Sequence, residues 1–208
     1  MGTSIYYQAL PEQTSLFKRI QTEKPISTIF RELSPFRNGI FYIFELDKEE
    51  LDDILDWLVE YEEVFDSRAD VDRCLNELYM ELERAKTSHP GLTEPNAYLD
   101  NTQTVIEERL SQELKRRQLD NCIGYVEKLL YGDQELAPQL FDEYDEQLSL
   151  VPSSLVQEGT RVLRDIEPEV LFEVAGNREE HYFNDFQWWR EFYLEAAARG
   201  EAVIIGLA

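Results

Sequence analysis

The hydrophobic positions of this chain change period as it runs, and each change predicts an element. Thr3 to Leu10 alternates and is rich in aromatic and β-branched residues, as in a strand. Pro11 then opens a short helix carrying Leu16, Phe17 and Ile20, and a second short helix follows Pro25 from Ile26 to Leu33. Gly39 to Leu46 fits either a short strand or the buried lead-in to the next helix. Asp47 and Glu50 form a capping pair for a helix reaching about Val64, with a core face of Leu51, Ile54, Leu55, Leu58 and Phe65. Val71, Leu75, Leu78, Leu82 and Ala85 make a narrow stripe at 4-3-4-3 spacing on the following helix, which His89-Pro90-Gly91 ends.

From Asn96 to Gln118 a helical pattern carries Val105, Ile106, Leu110 and Leu114. Asp120 is placed to cap a further helix through Val126, Leu129 and Leu130, stopped at Gly132. Leu148 to Val151 reads as a short strand before Pro152. Ser154 with Gln157 then resembles a capping box for a helix carrying Leu155, Val162, Leu163 and Ile166, and Pro168 to Ala175 predicts one or two helical turns. In the last helix Phe186, Trp189, Phe192, Tyr193, Ala196 and Ala197 share one face, with Asn184 and Gln187 placed as N-cap and N3 and Gly200 as the left-handed terminator. Trp188 and Trp189 are adjacent and point to different sides of that helix. Val203, Ile204 and Ile205 are continuous and β-branched, as in a strand covered on both faces.

Together these elements predict an α+β fold. It is mainly helical, with a small mixed or antiparallel sheet made by both termini and the region near 148–151. With no repeat and no long linker, 208 residues read as a single domain, 1–208, carrying a helical insertion or lobe at about 47–117.

Four segments, in order, resemble the bacterial YfbM-like proteins, also called domain of unknown function 1877. They are MGTSIYYQALPEQTSLF at the start, LDNCIGYVEKLLYGD at Leu119 to Asp133, LSLVPSSLVQEGTRVLRDI, and the closing WWREFYLEAAARGEAVIIGLA. The resemblance covers roughly residues 1–33 and 119–208; residues 35–117 look unlike the usual pattern and longer than it. Related sequences carry a tryptophan and one or two histidines before the leucine pair, where this chain has Cys122, Tyr125 and Glu127. The resemblance implies a fold. It brings no established activity, and the departure counts against any activity that would need that imidazole.

Charge narrows the partners. Lys and Arg total 20 against 43 Asp and Glu, a formal charge of −23. Binding to nucleic-acid backbones depends on cations displacing counterions, so no nucleic-acid partner is expected, nor an anionic membrane surface. Basic proteins and metal cations are the partners this charge leaves open. The early Glu12, Lys18 and Arg19 leave no signal-peptide core, and the uncharged Gly39 to Phe44 is too short to span a bilayer, so a cytoplasmic protein is expected.

Reagents are scarce. His89 and His181 are the only histidines, without HExxH or ExxH spacing, and Cys74 and Cys122 form no CxxC. No metal or cofactor is expected: Asp66, Asp70 and Asp72 lack the ligand order and glycine of a calcium loop, and no phosphate-binding glycine motif occurs. No catalytic residue can be named; Ser153-Ser154 is accounted for by helix capping, and abundant carboxylates single out no buried pair. Lys115-Arg116-Arg117 is too small for nucleic acid and is expected to pair with acidic helix faces. The acidic patch Asp142, Glu143, Asp145 and Glu146 reads as a solvated loop or a docking site for a basic partner. The densest acid lies from Glu45 to Asp72, where 13 carboxylates face only Lys48 and Arg68. The expectation is a non-enzymatic acidic protein-interaction module, in its sharpest form an immunity or inhibitor protein against a basic toxin, with Glu49, Asp52, Asp53 and Glu60 as partner-binding residues. The alternative is an enzyme with an unrecognised carboxylate-based site.

Overall fold

The computed structural model describes residues 4–33, 47–88, 96–140, 148–172 and 179–207. Within them the fold is α+β: mostly helix, with one open antiparallel sheet of five strands. The strands are β1 (Ser4–Leu10), β2 (Asn96–Asp100), β3 (Gln134–Leu136), β4 (Leu148–Val151) and β5 (Ala202–Leu207), in the order β2-β1-β5-β4-β3. The two ends of the chain thus pair at its centre, with Ile5 opposite Leu207 and Leu10 opposite Ala202. Each of β1 and β5 has a second partner, so residues 5–8 of β1 and 203–205 of β5 are paired on both edges.

Both faces of the sheet are covered, and strand alternation sends residues to each. Leu10, Leu136, Leu148, Leu150, Ala202 and Ile204 pack on one side. The cover there is α1 (Ser15–Thr22), α2 (Lys24–Leu33), α3 (Lys48–Tyr61) and α4 (Arg68–Ser88). Ile5, Tyr7, Ala9, Leu99, Val203 and Ile205 face the other side. Here the cover is α5 (Gln103–Arg116), α6 (Ile123–Tyr131), α7 (Ser153–Leu163), α8 (Pro168–Leu171) and α9 (Glu180–Arg199). Val203-Ile204-Ile205 is therefore a strand buried on two faces, as its unbroken apolar run requires. Of the stretch expected as an added lobe, α3 and α4 belong to the first helical layer. Residues 96–116 supply an edge strand and a helix of the second.

Caps set several element ends. The Asp47 carboxylate accepts from Glu50 N at 2.9 Å while Glu50 Oε2 accepts from Asp47 N at 3.0 Å, a complete capping box. Gly200 has φ 70° and ends α9; its N–H donates to Ala197 O and that of Glu201 to Ala196 O. Gly132, at φ 95°, ends α6 against β4, where a Cβ would sit 2.3 Å from Ser149 Cβ. Trp189 is fully buried, whereas Trp188 is 39% exposed.

Four expectations need correcting. Asn96–Asp100 is a strand, and the helix expected from Asn96 begins at Gln103. Asn184 lies inside α9, which starts at Glu180. Ser154 caps nothing: α7 begins at Ser153 behind Pro152, and Glu12 Oε1 accepts the Ser153 N–H at 2.8 Å from across the fold. Asp120 opens a short 3-10 turn, Asp120–Cys122, instead of capping α6. Gly39–Leu46, His89-Pro90-Gly91 and the Asp142–Glu146 patch lie outside the described residues.

Candidate functional site

The outer face of α3 follows from its inner one. Ile54, Leu55 and Leu58 are buried against α4 and its neighbours, which turns Glu49, Asp53, Asp56 and Glu60, spaced 4-3-4, to the solvent side. Glu49 and Glu50 also lie in the first turn, where carboxylates complement the helix dipole. At the far end Arg31 Nη2 holds Glu62 Oε1 at 3.0 Å, tying the C-terminus of α3 to α2. The capping box and this buried cation leave a fixed, exposed ridge between them.

The four expected partner-binding residues divide on this ridge. Glu49, Asp53 and Glu60 are exposed, and none makes an ion pair or side-chain hydrogen bond among the described residues. Asp52 is on the flank, bound to Arg68 Nη2 at 2.5 Å, and the same guanidinium reaches Asp56 at 3.3 Å. Beside the free carboxylates lie Trp57 and Tyr61, 40% and 63% exposed. Their ring centroids are 5.9 Å apart and the planes tilted by 34°. Neither stands out in the sequence by composition, but the helical period marks them: with Ile54, Leu55 and Leu58 inward, positions 57 and 61 fall off the core stripe.

Cations elsewhere are mostly engaged. Arg19 bridges Glu23 and Glu77, Arg73 binds Asp70 and Glu77, and Arg190 binds Glu167. Arg116 and Arg117 both clasp Glu113 one turn back, at 2.6 and 2.5 Å, which accounts for most of the basic cluster. Those two guanidinium groups hold the Glu113 carboxyl down to about 2 against the opposing effect of its burial.

A second feature is a cleft of about 190 Å³ between the start of α1 and the second half of α4, lined by Gln13, Thr14, Ser15, Glu81, Arg84 and Ser88. Glu81 is buried there. Ser15 Oγ donates to its Oε2 at 2.5 Å, and Arg84 Nη1 meets its Oε1 at 2.5 Å. The Ser15 hydroxyl and the Arg84 guanidinium thus share the two oxygens of one buried carboxylate.

A third is Asp185 on α9. Burial pushes its carboxyl up, opposed by Thr102 and by His181, and Asp100 adds to the rise. Cys74 is buried in α4 and its thiol is likewise pushed up by burial, the reverse of an activated nucleophile. Among the described residues no group of three or more His, Cys, Asp or Glu is arranged to hold a metal ion. No helix among them is long and apolar enough to cross a membrane. No family model matches this chain, and no curated protein or solved structure matches it.

Proposed function

We propose that this chain is a non-enzymatic acidic interaction module that holds a basic partner protein on the outer face of α3. The observation that carries the reading is the set Glu49, Asp53 and Glu60: exposed and unpaired, on a ridge where Lys48 is the helix's one cation. Leaving like charges together unpaired is unfavourable to the free protein, and a basic surface relieves that repulsion on docking. An inhibitor or immunity protein against a basic toxin in a bacterial cytoplasm is the sharpest form of this reading. We also read the chain as a divergent YfbM-like protein on its segments at 1–33 and 119–208, a kinship that bears on fold more than on activity.

The test is charge reversal. Glu49→Lys, Asp53→Lys and Glu60→Lys together should keep the circular dichroism spectrum and slow association with a purified basic partner at least tenfold, since complementary charge acts chiefly on encounter. Association of the unaltered protein should also slow steeply as salt rises. An unchanged rate in the triple variant would sink the proposal.

The cleft supports a second reading, an enzyme with a carboxylate-assisted serine. Ser15 Oγ would attack the carbonyl carbon of an activated ester as its proton passes to Glu81, and the ester's alcohol or phenolate would leave as the acyl-enzyme forms. Mass spectrometry after exposure to p-nitrophenyl acetate decides it: an acetyl group on Ser15 that Glu81→Gln abolishes favours the enzyme.

A further inference from the structure

We infer that the α3 ridge recognises arginine rather than lysine, through guanidinium groups stacked on Trp57 and Tyr61 and bound by Asp53 and Glu60; this rests on the reading of α3 as the docking face and names the chemistry of its partner. Asp53, Glu60 and Tyr61 stand four before, three after and four after Trp57. Residues at those spacings are surface neighbours on a helix, with Cβ atoms roughly 5–6 Å apart. A planar cation laid on the indole therefore meets carboxylates at its edge without leaving the ring. The two rings stand together, 5.9 Å apart. They form an apolar shelf whose rim, Glu49, Asp53 and Glu60, has no cation of its own among the described residues.

An uncharged apolar partner would bury these carboxylates without compensation. A lysine-rich segment would satisfy the charge but leave the rings underused, because an ammonium is compact, strongly hydrated and cannot lie flat on a ring. Guanidinium meets both demands: it is weakly hydrated, stacks on aromatic faces and offers a donor fork to carboxylate oxygens. The partner that fits is a basic protein presenting an exposed arginine-rich segment.

The experiment uses the full chain and two defined probes, fluorescein-labelled nona-arginine and nona-lysine, titrated by fluorescence anisotropy at two salt concentrations. Three variants accompany the unaltered protein. One replaces the rings (Trp57→Leu, Tyr61→Leu) and one neutralises the rim (Glu49→Gln, Asp53→Asn, Glu60→Gln). The third makes the same charge change on exposed positions of the other helical layer (Glu127→Gln, Glu169→Gln, Glu180→Gln). The unaltered protein should bind nona-arginine about tenfold more tightly than nona-lysine, the scale of two exposed cation–ring contacts. The ring variant should bring that ratio close to one, and the rim variant should weaken both probes more than the remote variant does. A ratio that the ring variant leaves unchanged overturns the arginine inference, while the docking reading stands if the rim variant still weakens both probes. A rim variant no weaker than the remote one overturns both.

Discussion

The hydroxyl of Tyr193, on α9, donates to the carbonyl of Leu129 in the last turn of α6, at 2.6 Å. Tyr7, on β1, donates to the next carbonyl, that of Leu130, at 2.9 Å. The last carbonyls of a helix lack partners within it. Here two phenols from opposite ends of the chain supply them, inside a cluster with Trp189 and Phe192. Burial pushes both hydroxyls well above the ordinary tyrosine range, so they remain donors throughout the working pH range.

Tyr193→Phe should therefore destabilise by about 1–2 kcal/mol, the cost of leaving a buried carbonyl unpaired. Tyr7→Phe should cost a similar amount. The rings lie 6.0 Å apart, so the double variant should depart from the sum of the two. Urea unfolding checks this, and a Tyr193→Phe midpoint equal to that of the unaltered protein would refute it.

Removal of residues 202–208 should abolish cooperative folding. β5 is the middle strand, bonded to β1 and β4, and Val203, Ile204 and Ile205 are each at most 1% exposed. At roughly 1.5–3 kcal/mol for each large buried side chain, their loss rivals a typical total stability of roughly 5–15 kcal/mol. A truncated chain that melts cooperatively near the full-length temperature would show that the sheet does not depend on its centre.

That central strand was legible because its signals are local: β-branched residues in a row, following a helix that ends at glycine. The Asp47–Glu50 capping box and the Val71–Ala85 stripe were readable for the same reason. β2 and β3 were not. They are edge strands of five and three residues, whose positions are decided by pairing with distant partners. The start of α7 is bonded by Glu12, over a hundred residues away, and no window around Ser154 contains that carboxylate. α9 extends back to Glu180 beyond the expected cap, and Tyr182 in its added turn stacks on Phe172, a tertiary contact. On α3 the acids were visible as composition. Their division into a paired flank and a free ridge depends on where Arg68 reaches, and only the folded chain supplies that.

Glu113 gives a pH dependence with a definite sign. Its folded-state value of about 2 lies below the ordinary 4.5 because Arg116 and Arg117 bind the ionised form. The pair thus stabilises the fold fully above pH 4.5, and the contribution fades as pH falls toward 2. Glu113→Gln should cost about 1–2 kcal/mol at pH 7, the scale of a charge-assisted hydrogen bond discounted for the exposed Arg116. The deficit should shrink between pH 4.5 and pH 3 in chemical denaturation; a constant deficit would place its cause in packing.

Asp185 should do the opposite. Its carboxyl is raised above the ordinary 3.8, first by burial and then by Asp100, with Thr102 and His181 opposing. Below pH 3.8 the group is protonated whether the chain is folded or not, and it contributes no pH-dependent term. As pH rises through the ordinary value, the unfolded chain ionises freely while the folded one resists, so folding loses stability until the raised value is passed. Asp185→Asn removes that penalty and should be the more stable form at pH 7. The gain should be small, because the side chain is only partly buried and solvent screens much of the effect. It should show as a modest rise in Tm. The difference between variant and parent should grow from pH 3.5 to neutrality, whereas the deficit of Glu113→Gln grows in the same interval with the opposite sign. If Asp185→Asn instead melts lower at pH 7, the contacts with Thr102 and His181 outweigh the desolvation, and the carboxylate is a positioned group whose charge the fold needs.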